Sequence, residues 1–242
     1  MRWLLALLLL ALPAAAEEPL VVRLSTDRVE LSTTFAGGSL MVFGSTAQPI
    51  GPGGAEVIIM ARGPELPFTV RRKVQVLGMW FNGPAARYGA VPAFYAVAGT
   101  LPAWRLLPEA LRRQYALGLD MLSLTPTGAR TPDFRAALEE AKQQAGLWQE
   151  DIAPVEIAGG RLFHLNLPLP ATIPAGDYTV EVLLVESRRV AARELLTFRV
   201  ERVGTAAAIA DVSRGQPLLY GVMCVVLAIL AGWLGSVLFR RN

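Results

Sequence analysis

The sequence predicts a mainly β protein, an antiparallel β-sandwich with an inserted helical hairpin, plus a single C-terminal transmembrane helix. Three features carry that expectation. Short apolar alternations divided by turn residues fill 20–99 and return over 155–203, two stretches of helical spacing lie between them, and 217–239 is an uncharged apolar run.

The first residues, MRWLLALLLLALPAAAEEP, have the layout of a secretory signal peptide over 1–16. Arg2 is the positive head, Trp3 to Leu12 a short apolar core, and Ala14 and Ala16 the small residues of a cleavage site before Glu17. The apolar core is too short to span a bilayer comfortably, so removal is favoured over retention as an anchor. An exported body over 17–204 follows.

In that body LVVRLS, RVELST, SLMVFG, EVIIMARG, PFTVRRKVQVLG, MWFNG and AFYAVAG read as strands, with no helix before about residue 101. The loop GSTAQPIGPGGAE (44–56) lacks the Lys and the Ser/Thr of a phosphate loop and leads into a strand, so it reads as a mobile hairpin connection. The pattern then turns helical over 107–119 and 131–148, an insertion at about 105–150. Thr131 is placed to cap the second helix, with Pro132 at its first position and Asp133 favourable to its dipole. Phe134, Leu138, Ala141, Ala145 and Trp148 form its apolar stripe, with Glu139, Glu140, Lys142 and Gln143 opposite. Packing of that stripe on the sandwich is favoured over packing on a partner.

Strands resume with VEIAGG, RLFHLNLPLP, DYTVEVLLVES and RVAARELLTFRVERVG, the last two joined by a turn at Ser187 and Arg188. In IPAGDYTVEVLLVE (173–186), Tyr178, Val180, Val182 and Leu184 share one face. A Tyr just after a tight turn, at the start of a late strand, resembles the tyrosine corner of immunoglobulin-like sandwiches, and the expected fold is of that kind.

Residues 205–216 are a small-residue linker. At about 1.5 Å per residue, 217–239 is long enough for a hydrocarbon core roughly 30 Å thick. Arg240 and Arg241 in the tail 240–242 place the C-terminus in the cytoplasm and the body on the other side; Tyr220 falls towards one interface, and Trp233, a turn or more inside the other, is placed either towards that interface or against another helix. Ala228, Gly232 and Ser236 recur every fourth residue, and Ala231 and Gly235 form a parallel small-residue row, a face for helix pairing with a second copy or another protein. The only cysteine, Cys224, lies in this run, so the body is held by its core and not by a disulfide. Of 23 Lys and Arg, three sit at the two ends, which leaves residues 17–216 with 20 against 20 acidic residues. The high pI therefore reports membrane topology and not a nucleic-acid partner.

No nucleophile-base, metal or nucleotide motif is present, so neither an enzyme, a metal site nor a cofactor is expected. The single His164 falls with Leu162 and Asn166 on the more polar face of its strand. The local oddity is PFTVRRKVQVLGMW (67–80), where alternation sets Arg72 with Phe68, Val70, Val74 and Val76. Three readings stand open. Arg72 is buried against a carboxylate, with Glu30, Glu56 and Glu65 the nearest candidates; or a β-bulge or edge position turns it outward; or Arg62, Arg71, Arg72 and Lys73 build an anion or partner site.

Finally, ARGPELPFTVRRKVQVLGMWFN (61–82), VPAFYAVAGT (91–100), FRAALEEAKQQAGLW (134–148), LPLPATIPAGDYTVEVLLV (167–185) and PLLYGVMCVVLAILAGWLGSVLFRR (217–241) together resemble the uncharacterised alphaproteobacterial transmembrane family Alph_Pro_TM. The resemblance implies a bacterial inner-membrane, single-pass protein with its main domain in the periplasm, and carries over no catalytic residues. It also suggests a setting near sulfite-exporter-like permeases. The expected role is a membrane-anchored binding or scaffold protein for another envelope or inner-membrane protein; the alternative is an accessory subunit of an anion permease.

Overall fold

A computed structural model describes residues 18–150, 152, 154–204, 215 and 217–239. The expected signal peptide, most of the linker and the cytoplasmic tail lie outside the described residues. In chain order the elements are β1 (Leu20–Leu24), β2 (Arg28–Leu31), β3 (Gly38–Thr46), β4 (Glu56–Arg62), β5 (Glu65–Val76), β6 (Met79–Pro92) and β7 (Tyr95–Gly99). There follow α1 (Ala103–Leu106), α2 (Glu109–Tyr115), β8 (Pro126–Gly128), α3 (Pro132–Gln144) and β9 (Trp148–Glu150). The chain ends with β10 (Glu156–Ala158), β11 (Leu162–Leu169), β12 (Gly176–Glu186), β13 (Arg189–Arg202) and α4 (Pro217–Phe239).

Two sheets face one another. One has the order β1-β3-β11-β10, the other β2-β13-β12-β4-β7-β9. The core between them takes Leu20, Leu40, Val42, Phe163, Leu165 and Leu167 from the first and Val57, Ile59, Ala61, Tyr178, Val180 and Val182 from the second. The six-stranded sheet is covered on its other face as well. There Ile58, Met60, Val97, Leu183 and Val185 meet Leu106, Leu107, Leu117, Phe134, Leu138 and Trp148 of the 100–148 insertion, with Tyr88 and Val91 of β6. The unbroken apolar run VIIMA in β4 is therefore a strand buried on both faces, where alternation gives way to continuity. The insertion's apolar surface is spent on its own domain.

Several expectations need correcting. The sandwich is not wholly antiparallel: β2 pairs parallel with β13 and β7 parallel with β9. After β1 the chain crosses to the opposite sheet at Ser25–Asp27 and reaches the edge of β13 running in the same direction. Residues 44–56 do not close a hairpin, because they carry the chain from β3 in one sheet to β4 in the other. Of the expected helix over 107–119 only α2 forms: Leu107, before Pro108, is driven to extended backbone at φ −127° and ψ 143°, Ala116 ends the helix left-handed at φ 48°, and α1 lies before the expected start. The second expected helix stops at Gln144, and Trp148 belongs instead to β9, paired with Tyr95. Its buried face is Phe134, Leu138 and Lys142, and Ala141 is exposed.

Tyr178 sits as a corner residue should. Its hydroxyl donates to the Pro174 carbonyl at 2.6 Å, and its ring lies 5.0 Å from that of Phe198 and 6.0 Å from that of Phe94. Gly63 passes so close that an added Cβ would lie 2.8 Å from the Tyr178 ring, which is why this crossing of β4 and β5 carries no side chain.

The helix α4 is 23 residues long, and its sequence contains no charged residue. Its longest run of fully described residues is 220–234, and among the described residues no helix is long and apolar enough to cross a membrane.

Burial pushes the Tyr178 phenol above its ordinary 10.0, and Tyr95 likewise. Their raised values mean that the stability they carry is present in full below about pH 10 and is lost as the pH climbs towards the folded values. Tyr178→Phe is expected to cost about 1 kcal/mol, a fall of about 2–4 °C in the thermal midpoint at neutral pH, and to flatten the loss of stability above pH 10. Thermal melts at pH 7 and pH 10.5 check both.

Candidate interaction surface

The β5 and β6 strands form one hairpin closed by a two-residue loop, Leu77-Gly78, with Val76 opposite Met79. Both loop residues have positive φ, 50° for Leu77 and 80° for Gly78, the backbone of a type I′ turn whose twist suits paired strands. At its base the ladder runs on without a break. The Gly63 N–H donates to the Phe94 carbonyl and the Ala93 N–H to the Pro64 carbonyl, both at 2.8 Å, so β4–β5 and β6–β7 are the two arms of one ribbon. The inner part of the hairpin is packed: Ala86, Tyr88 and Val91 are buried, and Phe68 and Val70 are half-buried beneath α3.

The register shifts between Arg71 and Lys73, where Arg72 alone opposes Gly83 and Pro84. The extra residue belongs to β6, so β5 keeps its alternation and Arg72 stays on the side of Phe68 and Val70, at the exposed rim beside α3. Its guanidinium bonds Asp133 at 2.6 Å and lies 5.5 Å from the Phe134 ring centre, so the partner is the first turn of α3 and none of Glu30, Glu56 or Glu65. Both members are well exposed, and such a pair contributes at most about 1 kcal/mol.

The four basic residues do not share one site. Arg62 is drawn inward, donating to the carbonyls of Tyr115 and Ala116 at the end of α2, which carries the negative end of that helix. Arg71 and Lys73 are exposed on the ribbon, while Arg72 is held by Asp133. The same Ala116 carbonyl accepts the Tyr95 hydroxyl at 2.8 Å, and that hydroxyl accepts the Gly118 N–H at 2.8 Å. Here the polar groups are spent on locking the insertion to the sheet. A cleft of about 340 Å³ beside them, lined by Val97, Trp104, Arg112, Asp120 and Glu150, has its charges engaged in the same way: Arg112 pairs Asp120 at 3.5 Å, and Glu150 accepts the Leu119 N–H.

Outward of Arg72 the ribbon is apolar and open. Leu77 is 94 % exposed, Trp80 65 %, Met79 60 %, Val76 50 % and Phe81 48 %. A second, shallower apolar area lies on the outward face of the four-stranded sheet, where Val21, Met41, Phe43 and Leu162 are exposed. His164 shares that face, with Nε2 3.2 Å from a Glu156 carboxylate oxygen, in keeping with its expected place at the surface. Among the described residues no group of three or more His, Cys, Asp or Glu is placed to hold a metal ion. The small residues Ala228, Ala231, Gly232, Gly235 and Ser236 all lie in α4, and a Cβ added at Gly232 would meet nothing within 4 Å.

Two of these features escape a linear reading. The hairpin tip is signalled by Leu-Gly between two apolar runs, yet MWF reads equally well as the start of a buried strand. Lys142 is counted from periodicity on the solvent side, but α3 turns it under, with Nζ 4.9 Å from the Phe68 ring centre.

A sandwich of two β-sheets with a helical layer on one face and an apolar helix at its C-terminus defines a mainly β domain joined to a hydrophobic segment. Residues 19–241 match the family described as "Putative transmembrane protein (Alph_Pro_TM)", and the chain belongs to it. No curated protein matches the chain.

Burial lowers the affinity of Lys142 for its proton. A lowered lysine value means that the charged form is disfavoured in the folded state, so the cost is present at neutral pH and fades as pH rises towards 10.5. Lys142→Met keeps the reach and removes the charge. It is expected to raise the thermal midpoint by about 2–4 °C at pH 7, with the gain shrinking by pH 10; a lower midpoint at pH 7 would contradict it.

Proposed function

We propose that this chain is a membrane-anchored binding or scaffold protein of the cell envelope, with no catalytic activity of its own. The observation that carries the reading is α4. Along it Leu218, Met223, Val226, Leu227, Leu230 and Trp233 are all at least 48 % exposed, and residues 221–234 are exposed without a break, so no side of that stretch is covered. A helix apolar all round is stable only when lipid or protein surrounds it. The membership of a transmembrane family and the flanking Arg240 and Arg241 support a single span with the C-terminus in the cytoplasm and the sandwich in the periplasm. The open row around Gly232 is the face on which we place helix pairing, with a second copy or with an inner-membrane protein.

The sandwich itself we read as immunoglobulin-like. Its orders β1-β3-β11-β10 and β13-β12-β4-β7 correspond to the A-B-E-D and G-F-C-C′ sheets of that fold, and the Tyr178–Pro174 bond fits the tyrosine corner. Domains of this form commonly present a sheet face to another protein. On this chain the surface we assign to an envelope-protein partner is the outward face bearing Val21, Met41, Phe43 and Leu162. The alternative, an accessory subunit holding an anion for a permease, needs Arg62, Arg71, Arg72 and Lys73 to converge, and two of the four are engaged elsewhere.

Full-length chain is expected to stay in the membrane pellet after alkaline carbonate extraction, while a chain ended at residue 204 is released. Purification of full-length chain from native membranes is expected to retain an envelope protein that Phe43→Glu loses. Retention unaffected by Phe43→Glu would remove that face from the reading. Saturable sulfite binding lost in Arg72→Ala would replace the scaffold reading with the permease one.

A further inference from the structure

We propose that the β5–β6 hairpin tip is a second membrane contact, a wedge that enters the surface of an anionic phospholipid leaflet. The proposal rests on the reading of α4 as the anchor, and it concerns a different part of the chain.

Four observations point there. First, apolar side chains crowd one face of the tip, and the other, among Lys73, Gln75 and Asn82, still exposes a tryptophan. Pairing puts Val74, Val76, Met79 and Phe81 on one face, while Trp80 stands on the other opposite Gln75. A protein partner docking on a sheet face covers one side only; an interfacial lipid environment surrounds both.

Second, the chain tolerates strain to keep Leu77 at the apex. At φ 50° the first loop position favours Asn, Asp or Gly, and a bulky side chain is held there against its preference while 94 % exposed. Nothing in the folding of the hairpin requires a leucine at that point. The cost is explained by what the side chain touches outside the protein.

Third, the charge is one-sided. From Leu66 to Pro92 the hairpin contains Arg71, Arg72, Lys73 and Arg87 and no acidic residue, in a body that is balanced only when these four are counted. Arg71 and Lys73 lie about five residues behind the apex, or roughly 15 Å at the rise of a strand, which sets cations at headgroup depth when the tip sits at the acyl boundary. Trp80, with an apolar body and one N–H donor, is the residue type that concentrates at that boundary.

Fourth, the ribbon emerges at the appropriate end of the sandwich. Arg62, the last residue of β4, is paired with Thr179, which is paired with Thr197, and β13 continues past that point in the direction β4 takes. The hairpin thus leaves the six-stranded sheet at the end where β13 hands the chain on towards α4. Beyond Arg72 it is a two-stranded ribbon: β8 joins β6 only at Ala86–Tyr88. Isolated ribbons of two strands are marginal in water, and a lipid surface would cover this one.

The test uses full-length chain carrying Cys224→Ser and Leu77→Cys, labelled with an environment-sensitive fluorophore. The chain is reconstituted in nanodiscs of phosphatidylethanolamine and phosphatidylglycerol with a doxyl group on the acyl chain. A second chain labelled at Ser187→Cys, the exposed turn between β12 and β13, is the reference. The tip label is expected to be blue-shifted, quenched severalfold by the doxyl lipid and protected from aqueous iodide, with the Ser187 label showing the reverse. Adding Phe81→Glu and Trp80→Glu is expected to abolish the shift, and replacing phosphatidylglycerol with phosphatidylcholine to reduce it. Iodide quenching of the tip equal to that at Ser187 overturns the proposal. Protection from both quenchers overturns it in favour of a protein cover such as a second copy, whereas a chain that elutes apart from the discs defeats the anchoring reading. In that case doxyl vesicles added to the free labelled chain decide the tip alone: quenching upholds it and its absence overturns it.

Discussion

The structure depends on one constraint: the six-stranded sheet must be covered on both faces. β4 and β12 present apolar side chains alternately to each side, Ile58, Met60, Leu183 and Val185 in one direction and Val57, Ile59, Val180 and Val182 in the other. The four-stranded sheet covers one face. The other would be left in water without the 100–148 insertion, at about 25 cal/mol for each Å² of apolar surface exposed. The insertion is thus part of the fold and not an appendage. It is fixed to the sheet by a small set of buried polar contacts around Tyr95, Arg62 and the carbonyls that end α2.

That constraint also explains how the basic residues are used. Arg62 closes a helix end, Arg72, opposite a bulge, reaches the first turn of α3, and Lys142 lies over Phe68. Each draws a piece of the insertion onto the sandwich or the ribbon. Arg71 and Lys73, by contrast, are exposed on a segment that reaches past the packed layers.

Much of the architecture was legible along the chain. Every strand named from alternation exists, Tyr178 makes its corner bond, and the small-residue rows fall in α4. What could not be read is set by layers, not by local pattern. EVIIMAR and VQVLGMWF are both continuous apolar runs, yet the first lies between two covers and the second has none. Likewise a helix periodicity gives the angle between side chains but not which of two adjacent rows faces inward, so Lys142 faces inward and Ala141 outward, the reverse of what the spacing predicts. The parallel edges β2 and β9 depend on where the chain changes sheets, which no strand announces. Arg72 keeps the side that alternation gives it, with Phe68 and Val70, but what meets it there is the exposed first turn of α3, which the strand pattern does not announce.

The unbroken hydrogen-bond ladder from β4–β7 into β5–β6 has a mechanical meaning. A ribbon whose arms continue as internal strands of a sheet carries a load along its length as shear, shared by many hydrogen bonds acting together. A pull or push at Leu77 therefore reaches the doubly covered centre of the domain without first peeling an edge. Whatever displaces the tip along its axis is passed to the body through the junction of Gly63 and Pro64 with Ala93 and Phe94.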